Sequence, residues 1–154
     1  MATDPKTGKT YAKTVTAEIK GEGTKNLVKV TIDTDGKKST KPSSITATDG
    51  HPFWVPALNE CITATSLQPG QWLRTSAGTH VQITAVTRWT QQATVYNLTV
   101  ADVHTYYVLA GAASVLVHNC SPSTGHSRMY VAGRRGTDTE PQAPLPSRTA
   151  ITIT

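Results

Sequence analysis

The four residues Val117-His118-Asn119-Cys120 carry the most specific chemistry in the chain. An Asn side-chain amide is one ring closure away from its own backbone carbonyl. Attack there forms a five-membered succinimide and breaks the bond to the next residue. Unaided, the reaction is slow, because the amide is a poor nucleophile and the departing amine needs a proton. A fold that accelerates it must supply orientation, a donor to the carbonyl oxygen and a general acid. His118, adjoining the Asn, and His104, at the edge of the preceding strand, are of the right type, since imidazole titrates near neutrality. Cys120 places a thiol at the bond that breaks, where as a thiolate it could accept an acyl group.

The elements that position these groups read as β-strands. Thr94 to Val100 and Tyr106 to Leu109 are short strand patterns, and a turn at Gly111 leads into the apolar run Ala113 to Val117 that delivers the His-Asn-Cys sequence. Upstream, Val15 to Ile19 and Asn26 to Ile32 are predicted strands, the second with Val28, Val30 and Ile32 on one face. Asp35-Gly36 closes a hairpin into Ser44 to Thr48, after which Asp49-Gly50 turns the chain again. Pro52 and Pro56 hold Phe53, Trp54 and Val55 extended as core. Further strands are expected at Cys61 to Ala64, Gln71 to Arg74 and His80 to Trp89, the last with Val81, Ile83, Ala85 and Thr87 on one face. The polar Met1 to Thr14 reads as a turn between two strands, the first of them missing or nearly so. No run places apolar residues at three and four spacing over two turns, so the fold class is all-β.

Composition bounds the rest. The 154 residues, 37% hydrophobic, suit one modest core. The net charge of +5 comes largely from lysines scattered before position 42, without the grouped arginines and stacking rings that a nucleic-acid surface needs. No apolar run is long enough to span a bilayer and Met1 opens no signal peptide, so the chain as written is expected to stay in the cytoplasm without a membrane partner. The two cysteines make no Cys-x-x-Cys pair and the five histidines lack ligand spacing, so neither a metal nor a cofactor is expected. A Cys61 to Cys120 disulfide stays open as an alternative. It would block the thiol, and a reducing cytosol would break it. His80 and His126 have no motif around them and read as solvent-exposed. Residues 121–154, broken by Pro122, Gly125, Gly133, Gly136, Pro141, Pro144 and Pro146, are expected to form a mostly disordered tail with no nuclease or deaminase constellation.

Val95 to Cys120 resembles the C-terminal splicing motifs of inteins and of Hint domains generally, through its Val-Tyr-Asn-Leu-Thr-Val strand, His104-Thr-Tyr-Tyr, the Gly111 turn and the closing Val-His-Asn-Cys. Ile45 to Val55 is similar to the family's second motif, whose Thr-x-x-His is here Thr48 to His51, and Leu67 to Leu73 to the turn and strand that follow it. The wording is most similar to the pretoxin Hint domains of bacterial polymorphic toxins. Together the motifs cover about half of the chain in the family's order.

The resemblance implies a Hint domain over 1–120, a separate tail over 121–154, and self-cleavage of the Asn119/Cys120 bond. Asn119 would be the nucleophile, His118 and His104 the acid and carbonyl-polarising groups, and Cys120 the downstream residue. Thr48 and His51 would bind and polarise an N-terminal scissile peptide. The domain would act in cis on its own chain and turn over once, within a parent toxin that is itself a candidate for secretion. The interval from Trp54 to Val95 is too short for a homing-endonuclease insertion.

Two departures qualify this. Asn97 stands where many inteins carry Asp, so no acid or base role passes to it. The Cys or Ser nucleophile that opens a Hint domain is not found ahead of the Ala2 to Gly8 segment, which reads as an N-terminally truncated domain. Splicing by this sequence alone is therefore not expected, while C-terminal cleavage, or complementation by a separate N-terminal Hint fragment, is. Alone, His51 reads more readily as a turn-capping residue and His104 equally well as a loop residue. A catalytically inert β remnant or interaction module is the competing reading, and a basic nucleic-acid binder a weaker third.

Overall fold

The protein is described by a computed structural model covering residues 1–34, 42–118 and 151–152. Thirteen strands follow one another: β1 (Ala2–Thr3), β2 (Thr10–Tyr11), β3 (Val15–Gly21), β4 (Thr24–Asp33), β5 (Ser43–Thr48), β6 (Pro52–Val55), β7 (Glu60–Thr63), β8 (Trp72–Arg74), β9 (His80–Gln92), β10 (Val95–Val100), β11 (Thr105–Ala110), β12 (Ala113–His118) and β13 (Ile151–Thr152). The one helical piece among the described residues is the three-residue 3-10 turn Ala64–Ser66. The fold is all-β, as the strand patterns predict.

The strands form a two-stranded ribbon, β1-β2, a seven-stranded sheet in the order β3-β10-β13-β5-β4-β9-β8, and a four-stranded sheet in the order β11-β12-β6-β7. The two larger sheets enclose one core. Val28, Val30 and Ile32 line its side of β4 as the alternation requires, and meet Phe53 and Val55 of β6 and Val115 and Val117 of β12. Burying side chains of this size contributes roughly 1.5–3 kcal/mol each. In β12 the run Val115, Leu116, Val117 is buried without alternation, as expected of a strand covered on both faces.

The long β9 departs from simple alternation. Val81 and Ile83 face the core, but the register against β4 shifts between Thr31 and Ile32, which pair with Ala85 and Ile83 and leave Thr84 as an extra residue. That bulge reverses the faces beyond it. Val86, not the expected Ala85 and Thr87, packs on the core, and both of those are exposed.

The expected Cys61 to Ala64 strand begins and ends one residue earlier, because Ala64 opens the 3-10 turn. The N-terminal segment does form a first strand: β1 pairs with β2 across a turn whose backbone N–H of Gly8 donates to Asp4 at 2.8 Å. The expected turn at Asp35-Gly36 lies outside the described residues, although β4 and β5 pair antiparallel as it requires. The tail is described only at β13.

Gly111 makes the β11–β12 hairpin possible. Its φ is +61, and a Cβ there would stand 2.4 Å from Ser43 Oγ, so both the backbone conformation and the close approach to β5 select glycine.

Candidate functional site

Thr48-Asp49-Gly50-His51 is a closed turn between β5 and β6. The backbone N–H of His51 donates to the Thr48 carbonyl at 3.0 Å, that of Gly50 to the Asp49 carboxylate at 2.8 Å, and that of Ala64 to the His51 carbonyl at 2.8 Å. The turn drives the His51 side chain inward until it is fully buried, edge-on to Phe53 with ring centroids 5.5 Å apart. Neither ring nitrogen has a hydrogen-bond partner among the described residues. Burial pushes the imidazole down to about 3, so the ring is neutral at physiological pH. Thr48 is buried at the start of the same turn.

His118 ends β12. Val117 pairs with Phe53 across β12 and β6, and carrying this antiparallel register one step sets His118 beside Pro52, one residue from His51. The two sequence motifs thus converge on adjacent strands. The His118 ring is half-buried, tilted by 32° against the Trp54 ring at 6.3 Å between centroids. Its Nδ1 has no partner among the described residues. The imidazole is lowered to about 4, first by burial and then by the charge of His104, with the Asp4 carboxylate acting in the opposite direction.

His104 reaches the same end of the hairpin from the other strand, because Thr105, the next residue, pairs directly with His118. It is exposed, and sits in a tight turn where Asp102 and His104 have φ of 65° and 50°. Two contacts hold that turn: the Val103 N–H donates to Ala101 at 2.8 Å, and Lys13 forms an ion pair with Asp102 at 2.6 Å. The Lys13 ammonium keeps the Asp102 carboxyl below its usual range.

Thr3, Asp4 and Thr105 form a polar set near His118 that sequence reasoning missed. The Thr105 hydroxyl donates to the Thr3 carbonyl at 2.7 Å and accepts from the Thr3 N–H at 3.0 Å, tying β1 to β11. This brings Asp4 within electrostatic reach of His118. Asp4 Oδ1 in turn accepts from the N–H groups of Lys6 and Thr7 at 2.9 and 3.3 Å, which hold its carboxyl low. The buried Asn97 accepts a 2.9 Å hydrogen bond from the Tyr106 hydroxyl, whose ionisation burial pushes up.

Asn119 and Cys120, the other two site residues expected from sequence, lie outside the described residues, as does His126. His80 is exposed, as expected. Cys61 is disulfide-bonded. No three His, Cys, Asp or Glu side chains converge to hold a metal among the described residues, and no helix among them is long and apolar enough to cross a membrane. A hollow of about 520 Å³ over Glu18, Tyr96, Leu98, Tyr106, Tyr107 and Leu109 includes none of the six candidate residues. Chemistry on the chain's own backbone needs no substrate cavity.

Comparison with known proteins agrees with this arrangement. The family model of the pretoxin HINT domain matches residues 1–120. The solution structure of a bacterial intein-like domain from Clostridium thermocellum is 32% identical, with a TM-score of 0.63 over 77% of this chain and 78% of that one. An intein from a hyperthermophile (18% identity, TM-score 0.62, 76% and 68% covered) and the gp41-1 intein (19%, 0.53, 70% and 73%) share the fold. No curated protein matches the chain. Residues 1–120 cover both histidine motifs and the Asn119-Cys120 pair that follows them, and on that match the chain belongs to the pretoxin Hint domain family, whose fold is that of the inteins.

Proposed function

We propose that this domain cuts its own chain between Asn119 and Cys120 by asparagine cyclisation. The side-chain nitrogen of Asn119 bonds to its own backbone carbonyl carbon, the bond from that carbon to the Cys120 nitrogen breaks, and the proton lost by the amide is matched by the one gained by the departing amine. His118, neutral at physiological pH, suits the donor role toward the carbonyl oxygen. His104, exposed to water in the turn just before β11, suits the general-acid role. Thr48 and His51 would serve a second, N-terminal junction by polarising its carbonyl. The processing unit then ends at Asn119, and the downstream piece, 120–154, begins with Cys120 and carries the tail.

The observation that carries this reading is the meeting of His104 and His118 at one end of the β11–β12 hairpin, with His118 bonded directly to Asn119. The test is intact mass of the full chain over time, with reductant present so that the disulfide at Cys61 cannot hold fragments together. The chain should lose residues 120–154, and Asn119→Ala should abolish the loss. A folded chain that keeps its full mass would leave the inert β domain as the better reading.

A further inference from the structure

The seven-stranded sheet is continuous only because of two residues. β5 pairs with β4 on one side, β10 pairs with β3 on one side, and their other edges face each other across β13. Ile151 pairs with Tyr96 of β10 and with Ala47 of β5, and Thr152 with Thr46 of β5, both antiparallel. Without them the two edges would stand two strand spacings apart, about 9–10 Å, too far to bond each other. Both edge strands are buried on their core face, at Ile45, Ala47 and Thr48 of β5 and Val95, Asn97 and Val100 of β10, while Tyr96 on the other face is exposed. A buried backbone N–H or carbonyl left without a partner is costly, so the gap requires an extended segment that can bond on both sides.

We infer that the gap between β5 and β10 is a strand-acceptor slot, and that its occupant is the chain's own segment around Ile151–Thr152. Ile151 and Thr152 are uncharged and β-branched, which suits a strand paired on both edges. β5 and β10 precede the Asn119/Cys120 junction and β13 follows it. Resting on the proposed scission, the consequence is that cutting the backbone leaves the downstream piece pinned in the sheet, so that cutting and release are separate events.

Hydrogen exchange on the full chain tests the slot whether or not scission occurs. The comparison uses Asn119→Ala, which keeps the chain whole, with and without Ile151→Pro, which removes an N–H from the inserted strand and disfavours it there. The expected result in the proline variant is exchange about tenfold or more faster at those amides of the Thr46–Ala47 and Tyr96 positions that face β13, with the amides facing β4 and β3 and the β4–β9 amides unchanged. Equal protection in both chains would overturn the assignment, since another strand or none would then hold the slot. Loss of protection spreading through β4 and β9 would overturn it as well, because the segment would then be part of the core fold and not a guest in it.

Discussion

The His118 imidazole lies against the Trp54 indole, 6.3 Å between centroids and inclined by 32°, at the end of the strand that leads into the Asn119 junction. The indole is itself buried, so it walls off one face of the imidazole from water, and burial is the first cause of the low His118 value. Trp54→Leu should keep the position apolar while opening that face. The expected cost is about 1–3 kcal/mol of stability. The His118 ring should titrate above its present value of about 4, toward 6.5, in an NMR pH series. An unchanged midpoint would mean that the indole is not what dries the ring.

A neutral His118 donor gives scission a defined acid limb. The ring is uncharged above about 4, so its contribution should be constant from neutral pH downward and change only as pH falls through that value. His118→Gln keeps an N–H donor but does not titrate, and should cut about tenfold more slowly without that limb. His118→Ala should lose roughly 10²–10³-fold, the usual loss for a carbonyl-polarising donor. The rate of appearance of the 120–154 fragment, by quenched mass spectrometry from pH 8 to 4, reads all three.

His104, the proposed general acid, also carries backbone strain. A non-glycine residue at φ 50° costs about 1 kcal/mol, which glycine would not. His104→Gly should therefore match or exceed the parent in a urea melt by about 1 kcal/mol, while scission slows by about 10²-fold through loss of the acid. A purely structural loop histidine would give the first result without the second.

Much of this was legible in the sequence because strand alternation and turn chemistry are local. Val28, Val30 and Ile32 announce the buried face of β4, and Gly111 announces the hairpin that it makes. Alternation fails where a bulge intervenes: nothing in the residues around Thr84 marks the extra position, so the pattern points Ala85 inward where Val86 packs on the core. Both histidine motifs stand out through the resemblance to the Hint family, since His51 and His104 alone read as turn and loop residues, and their convergence depends on the Phe53–Val117 pairing, a long-range contact that no local pattern encodes. The same holds for Asp4 and Thr105, which join the site only because Thr3 bonds across to β11. The sequence marks Trp54 as core, yet its place against His118 follows from sheet register alone. The β13 run was hidden by the glycines and prolines before it, which set the composition of the tail as a whole.

His51 offers the sharpest separation of stability from function. A buried imidazole with no hydrogen-bond partner among the described residues costs desolvation that an aliphatic side chain of similar size would not. His51→Leu should therefore be neutral or stabilising by about 1 kcal/mol at pH 7.5. The pH dependence fixes the cause. The folded ring titrates near 3 and the unfolded one near 6.5, so the unfolded state takes up the proton first. The stability tied to a neutral His51 is complete above about 6.5 and is lost progressively as pH falls toward 3. This amounts to roughly 2 kcal/mol by pH 5, at about 1.4 kcal/mol per pH unit. Urea melts at pH 7.5 and 5 should show the parent losing that much more than His51→Leu, with His118 adding the same background loss to both. Equal losses in the two proteins would mean that His51 is not neutral and sealed in the folded state. If the variant is as stable as expected and still cuts at Asn119 at the parent rate, His51 has no part in the C-terminal reaction, and its role is confined to an N-terminal junction.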